Sequence, residues 1–292
     1  MSKNLHALVK TMIEKMENGT GTWIRSWSAP TGFPKNFITK KEYRGFNFFY
    51  LSYVMNKKGY TAPYFLTFNQ IRSLKGKLRK GSKAIQVYFY KMIKKEDKET
   101  LEEKTIPLLR RYNVFNIEDT DIEYELDQTQ LNNNERYQNA EEFVQNTGAK
   151  IIYGGNSAFF SSRGDYIQCP RLEYFIDSDN YYATLLHELA HWSGASNRLD
   201  RLKKGGMCSK NYAFEELIAE LTSVFLCSHL GIDIEKNQHP EYLQSWISSL
   251  REKPQILWKA SSKAQEAFDY LIKIVENNSV RVDDTEAVKK IA

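Results

Sequence analysis

Two histidines one helical turn apart enclose a glutamate in the run Leu185-Leu186-His187-Glu188-Leu189-Ala190-His191-Trp192. On a helix, side chains four residues apart project from the same face, so the imidazoles of His187 and His191 can converge on one ion. Glu188, the next residue along, lies beside that ion and not on it. With only 5 His in 292 residues, this five-residue spacing is a specific signal. A structural zinc site closes all four positions with Cys and His, whereas a hydrolytic site takes three protein ligands and leaves the fourth for water. The three cysteines, Cys169, Cys208 and Cys227, include no pair at ligand spacing. The pattern therefore predicts Zn2+ acting as a Lewis acid that lowers the pKa of its bound water to roughly 7. Glu188 is the candidate to take that water's proton and hand it to a leaving amine. The chemistry implied is hydrolysis of a peptide bond in a protein substrate that the sequence leaves unidentified.

Two imidazoles need a third ligand. Between Asn211 and Leu226 the residues Phe214, Leu217, Ile218, Leu221 and Phe225 form an apolar stripe at helical spacing, with Gly231 as the stop. Glu216 and Glu220 ride on this helix, again one turn apart. The arrangement resembles the Glu-zincin layout, and that resemblance implies Glu216 as the third ligand and Glu220 as the acid that orients a histidine from behind. A competing pattern runs from His187 to Asn197 and is close to that of the metzincins, with Asn197 where that family places His or Asp. An amide oxygen is a poor zinc ligand, so Asn197 and nearby Asp200 rank behind Glu216. Tyr153, Tyr166, Tyr182 and His229 are all open as stabilisers of the developing oxyanion.

The elements that must hold these residues are partly legible. Residues 150–153 and 158–168, rich in β-branched and aromatic side chains and broken by Gly154-Gly155 and Gly164-Asp165, predict two short antiparallel strands just before the metal helix. Ser178-Asp179 is the expected cap of that helix and Gly194 its stop. From Pro240 onward, the spacing of Leu243, Trp246, Ile247, Leu250, Leu257 and Phe268 predicts helices with a buried face, followed by a frayed tail after about residue 277.

Charge divides the chain. Residues 1–117 carry 23 Lys and Arg against 8 Asp and Glu, a net of +15, and residues 118–292 carry 18 against 28, a net of −10. The polar, amide-rich run from Leu126 to Glu135 marks the seam. The expected organisation is a basic domain over 1–125, a linker over 126–136 and a metal-binding domain over 137–292. Few, widely spaced cysteines imply no disulfide framework and a reducing compartment. No apolar run reaches the length of a membrane span and no signal-peptide core is evident at the N-terminus, so a cytoplasmic protein without membrane contact is expected.

In the basic half, Leu5, Leu8, Val9, Met12, Ile13 and Met16 make one packing face of a helix ended by Asn18-Gly19. Rings and polar or cationic groups then alternate closely: Trp23, Arg25 and Trp27, then Lys35 and Asn36, then Tyr43, Arg44 and Asn47. Thr67-Phe68-Asn69-Gln70 reads as a capping box opening a short helix. It runs into a glycine-punctuated basic loop with Lys77, Arg79, Lys80 and Lys83. The next strand, 84–93, puts Ile85, Val87 and Phe89 on one face and Gln86, Tyr88 and Tyr90 on the other. A groove that tracks phosphates with Lys and Arg and stacks unpaired bases on rings binds single-stranded nucleic acid without reading its sequence. These residues are therefore the candidate contacts to single-stranded DNA. Walker loops, zinc fingers and helix-turn-helix signatures are absent from the sequence.

Both halves carry segments that resemble the ArdC antirestriction family over nearly the whole length. At the front these are Trp23-Ile24-Arg25-Ser26-Trp27, Asn36, Tyr43-Arg44-Gly45-Phe46-Asn47, Gly59-Tyr60, Phe65-Leu66-Thr67-Phe68-Asn69-Gln70, Arg79-Lys80-Gly81 and Tyr112-Asn113-Val114-Phe115-Asn116. At the back they are Tyr181 to Gly194, Arg198-Leu199 and Phe214 to Leu221. The resemblance implies an α+β protein of two domains: an N-terminal α+β domain that binds single-stranded DNA, and a mainly helical zincin-like metallopeptidase domain with a small antiparallel sheet. It further implies carriage by plasmids, phages and other mobile elements, and protection of incoming DNA from host restriction.

Overall fold

The computed structural model describes residues 6, 9–10, 13–14, 16–17, 32–96, 103–126, 133–202, 210–233 and 240–289. Of the first helix, positions 9, 13 and 16 are seen buried, which fits one packing face. The N-terminal half then contains β1 (Lys35–Asn36), α1 (Phe46–Lys58), β2 (Tyr64–Thr67), α2 (Phe68–Ser73), and a long ribbon of β3 (Ile85–Glu96) and β4 (Glu103–Asn116). These strands form one sheet in the order β1-β2-β4-β3. β1 and β2 run parallel, while β2 and β3 both lie antiparallel to β4, the ribbon pairing continuously from Ile85↔Val114 to Glu96↔Glu103.

Local chemistry sets the helix ends. α1 stops at Gly59, whose φ of 72° is open to a residue without Cβ and lets its N–H reach the Met55 carbonyl. The capping box of α2 forms as the sequence implies: the Thr67 side chain accepts from the Gln70 N–H, and the Gln70 side chain accepts from the Thr67 N–H at 2.8 Å.

The C-terminal half comprises α3 (Asn133–Asn146), β5 (Ile151–Tyr153), β6 (Phe159–Ser161), β7 (Tyr166–Cys169), α4 (Ser178–Ser193), α5 (Lys210–Leu230), α6 (Pro240–Glu252) and α7 (Gln255–Lys289). Its small sheet differs from the expected antiparallel pair. β6 and β7 form a hairpin within the stretch expected as one strand, and β5 joins β7 in parallel, giving the order β5-β7-β6. Gly164-Asp165 is the turn of that hairpin, with Asp165 at a positive φ of 48°, a conformation that Asp tolerates better than most residues. The cap of α4 is Asp177, one residue before the expected position, its carboxylate accepting from the Asn180 N–H at 2.8 Å. α7 continues to Lys289 where a frayed tail was expected; the stretch after residue 277 contains no Gly or Pro to end it.

α5 is the axis of this half, with every described side chain from Glu215 to Cys227 buried. A helix enclosed on all sides has lost its solvated face, so its acidic residues must find partners inside. Around it, Phe48 and Phe49 of α1 meet Phe225 of α5 at ring separations of 4.7 and 4.8 Å, and Phe268 of α7 closes the cluster at 5.6 Å from Phe225. Trp258 of α7 stacks on Phe46 at 4.8 Å. The two halves therefore share one core across their junction, while two smaller clusters under the N-terminal sheet belong to that half alone.

This junction corrects one expectation. Tyr88, a candidate contact to single-stranded DNA, is only 7 % exposed. It packs edge-on against Trp258 at 5.4 Å and Phe46 at 6.2 Å, because the ribbon face that carries it is covered by α7.

The shared core makes a specific prediction. Phe225→Ala should cost about 3–5 kcal/mol and lower the urea midpoints of both halves together. Separate transitions, reported by rings in α1 and in α4, would show that the halves fold independently.

Candidate metal centre and the basic face

α4 is buried from Tyr181 to Ser193 except at half-buried Thr184, and its inner face carries His187 and His191 toward α5. The His187 Nε2 and His191 Nε2 atoms lie 3.2 Å apart. From α5, Glu216 places Oε2 3.5 Å from His187 Nε2 and Oε1 3.3 Å from His191 Nε2. Ligand atoms about 2.0–2.1 Å from a tetrahedral ion stand about 3.3–3.4 Å from one another. The two imidazole nitrogens and the Glu216 carboxylate thus converge at separations close to those around such an ion, each imidazole facing a different Glu216 oxygen. Two imidazoles and a carboxylate are also the donor chemistry of an open hydrolytic site. Among the described residues, this trio is the one group of His, Cys, Asp and Glu whose ligand atoms converge in this way.

Behind each imidazole stands another carboxylate of α5. Glu220 Oε2 is 3.8 Å from His187 Nδ1, and Glu215 Oε1 is 3.7 Å from His191 Nδ1. Glu215 is gripped in turn by the guanidinium of Arg201, which donates from Nη2 at 2.9 Å and from Nε at 3.3 Å. Arg201 also donates to the Ala190 carbonyl at 2.7 Å and to Ser193 Oγ at 3.1 Å, so one side chain ties the end of α4 to the start of α5. Glu215 and Arg201 were missed by sequence reasoning. The only signal for Glu215 was its place next to Glu216, a step of about 100° around the helix that turns the two acids toward different partners.

The electrostatics follow from this crowding. Burial opposes charge on His191, but Glu215 and Glu216 outweigh it and push its pKa up to about 10. His187 is pushed down, chiefly by burial. Burial also works against the Glu216 carboxylate, yet the two imidazoles hold it far below the usual carboxylate range. Glu188 is buried, and its charge bears on His191 as well as on Cys169, whose thiol burial and that charge push up to about 12.

The β6–β7 hairpin is pinned above the end of α4 by Arg198, which pairs with Asp165 and lies 4.0 Å over the Trp192 ring. The Asn197 amide turns to Asp165 at 3.5 Å and Asp200 is exposed; neither joins the histidines. Of the open oxyanion candidates, Tyr182 is hydrogen-bonded to Glu141 at 3.4 Å and His229 packs on Phe268.

The basic half sorts differently from its reading as a row of DNA contacts. Trp23, Arg25 and Trp27 lie outside the described residues, as does the side chain of Tyr90. Asn36 exchanges two side-chain hydrogen bonds with Gln70, at 3.0 and 3.1 Å. Asn47 bridges the Tyr88 backbone by donating to its carbonyl at 2.6 Å and accepting from its N–H at 2.9 Å. Arg44 pairs with Asp269 of α7, Tyr43 is half-buried against Phe65, and Lys35 lies 5.5 Å from the Tyr64 ring. Each of these side chains thus has partners within the protein. Lys77, Arg79, Lys80 and Lys83 are exposed on the loop before β3, with Arg79 also donating to the Thr120 carbonyl at 2.9 Å.

A hairpin-bearing sheet beside a helix with two inward imidazoles, and a second helix delivering carboxylates, define a zincin-like body, and residues 138–263 match the family model described as a zincin-like metallopeptidase. Residues 2–115 match the model for the N-terminal domain of the anti-restriction factor ArdC. The whole chain is similar to the crystal structure of antirestriction protein ArdC from the R388 plasmid in its metal-free form, with a TM-score of 0.78 and 34 % identity over 95 % of this chain and 99 % of that one. The Mn(II)-bound form of the same protein gives a TM-score of 0.77 at 33 % identity over the same shares of the two chains. The chain belongs to the ArdC-like antirestriction family. An uncharacterized protein of Sinorhizobium fredii, y4eC, is 34 % identical over 85 % of this chain and 83 % of its own length. A DNA primase TraC of Escherichia coli is 32 % identical over 92 % of this chain, which spans only 20 % of that longer protein.

The Arg201 clamp is testable without any metal. Arg201→Met leaves Glu215 buried without its cation and should lower stability by about 3–5 kcal/mol, read as a shift in urea midpoint, whereas a loss under about 1 kcal/mol would make the pair dispensable.

Proposed function

We propose that this chain binds single-stranded DNA through its basic half and hydrolyses a protein substrate at a divalent-metal site, protecting the incoming DNA of a mobile element from host restriction. The observation that carries the peptidase part is the convergence of His187, His191 and Glu216, with the imidazole Nε2 atoms 3.2 Å apart and facing the Glu216 carboxylate oxygens at 3.3 and 3.5 Å. Zn2+ is the ion this donor set favours, and the Mn(II)-bound form of R388 ArdC supports divalent occupancy. When bound, the ion supplies Lewis acidity, polarising a peptide carbonyl and acidifying water. The protein's own groups do the rest. Glu220 and the Arg201-held Glu215 fix the orientation of the two imidazoles. Glu188, one residue past His187 and buried, accepts the proton of the attacking water and returns it to the amine that leaves.

The nucleic-acid part rests on the +15 balance of residues 1–117 and on the exposed cations of the 77–83 loop. Sequence-independent contact with phosphates releases counterions, so affinity falls steeply as salt rises.

Two variants separate the roles of the metal residues. Glu188→Gln should retain about one ion per chain by elemental analysis and lose about 10²–10⁴-fold in hydrolysis of denatured casein; His187→Ala and Glu216→Ala should lose the ion itself. Purified protein that takes up neither Zn2+ nor Mn2+ on dialysis would overturn the peptidase reading. In a restricting host, Glu188→Gln should also abolish protection, and unchanged protection would leave DNA binding as the active part.

A further inference from the structure

The face of the ribbon that replaces Tyr88 at the surface is the one opposite to it. Tyr112 stands directly across from Val87, and Arg110 directly across from Phe89, so Phe89, Tyr112 and Arg110 share one face. Lower on that face, Ile85, Val87 and Val114 are buried with Leu51, Val54 and Met55 of α1. Beyond them the same face emerges from under the helix, leaving Phe89 47 % and Tyr112 42 % exposed, with Arg110 exposed beside them. These two large rings stand together, each about half open to water, on a continuously paired ribbon.

We infer that this face is the platform on which single-stranded nucleic acid stacks its bases, with Phe89 and Tyr112 taking bases and Arg110 a phosphate. The inference rests on the proposed nucleic-acid reading and gives it a location. Charge selects this occupant: β3 and β4 carry six cations, Lys91, Lys94, Lys95, Lys104, Arg110 and Arg111, against only Glu96 and Glu103. An aromatic face that carries an exposed Arg110 on so basic a ribbon suits a polyanion with ring systems better than it suits a second copy of this positively charged half. Spacing selects single strands. Phe89 and Tyr112 are diagonal neighbours, which sets their Cβ atoms about 7 Å apart, roughly twice the 3.4 Å rise per base in a duplex strand. Bases seated on both rings are therefore splayed apart, a state open to an unpaired strand and closed to paired DNA. A ring at this position stacks on any base, so the platform reads no sequence.

The test uses the full chain and fluorescein-labelled oligo-dT, followed by anisotropy. Phe89→Leu and Tyr112→Leu keep apolar bulk and remove the aromatic face; each should weaken binding about tenfold with an unchanged thermal midpoint. Tyr88→Phe, which removes only a hydroxyl from a ring packed in the junction, should bind as wild type. Photo-cross-linking with bromodeoxyuridine-substituted oligo-dT should place adducts on the peptides bearing residues 89 and 112. Full-strength binding by both Leu variants, or cross-links confined to other segments, overturns the platform while leaving the nucleic-acid reading intact. Wild-type protein that ignores oligo-dT at low salt overturns both. If the Leu variants instead abolish self-association in gel filtration and bind DNA normally, the face joins two copies and the inference fails.

Discussion

Three carboxylates enclosed on one helix are the constraint around which the C-terminal half is arranged. Glu215, Glu216 and Glu220 are buried on α5, where an uncompensated ionised carboxylate is prohibitively costly. Arg201 answers Glu215 and the paired imidazole nitrogens face Glu216, while Glu220 stands 3.8 Å from His187 Nδ1. The same demands explain why α4 lies against α5, why its two histidines turn inward, and why the loop after α4 folds back to insert Arg201. Negative charge exceeds positive charge in this cluster, and a divalent cation held by the two imidazoles and Glu216 would redress that balance. Fold and metal site are in this sense one electrostatic problem with one solution.

The second organising element is the aromatic seam between the halves. Phe48, Phe49 and Phe46 of α1 reach into the same core as Phe225, Phe268 and Trp258, and polar contacts border it, with the Gly45 N–H donating to Gln265 and Arg44 paired with Asp269. Aromatic rings bury much area per residue and prefer defined offsets, so such a seam fixes orientation as well as proximity. The long helix α7 serves both sides: it backs α5, covers the Tyr88 face of the ribbon, and through Asn278 donates to the end of α3 at 2.8 Å.

What was legible in the sequence divides by range. His187, Glu188 and His191 sit within one helical turn, so spacing alone sets their geometry. Glu216 was within reach only through resemblance to the Glu-zincin layout, which places such an acid on the second helix. Arg201 could not be found that way, since it arrives from a loop and no local pattern marks its partner. Strand alternation correctly grouped Ile85, Val87 and Phe89 on one face and Tyr88 on the other, but alternation does not say which face is covered. That depended on α7, more than 160 residues further along the chain, and on α1 ending short of Phe89. The parallel pairing of β5 with β7 was hidden for the same reason, because pairing is non-local while propensity is not. Asp177 and Ser178 are both good caps, and local composition alone does not choose between them.

The seam also bears on how such a chain can be inherited. A protein whose two halves were merely tethered could exchange either one by recombination within the linker, since each would keep its interior. Here a crossover between them would pair a foreign surface with half of an aromatic interior and expose rings that have no other cover. The much longer TraC primase aligns with 92 % of this chain, both halves together, as expected of a unit that can be spliced into larger proteins only as a whole.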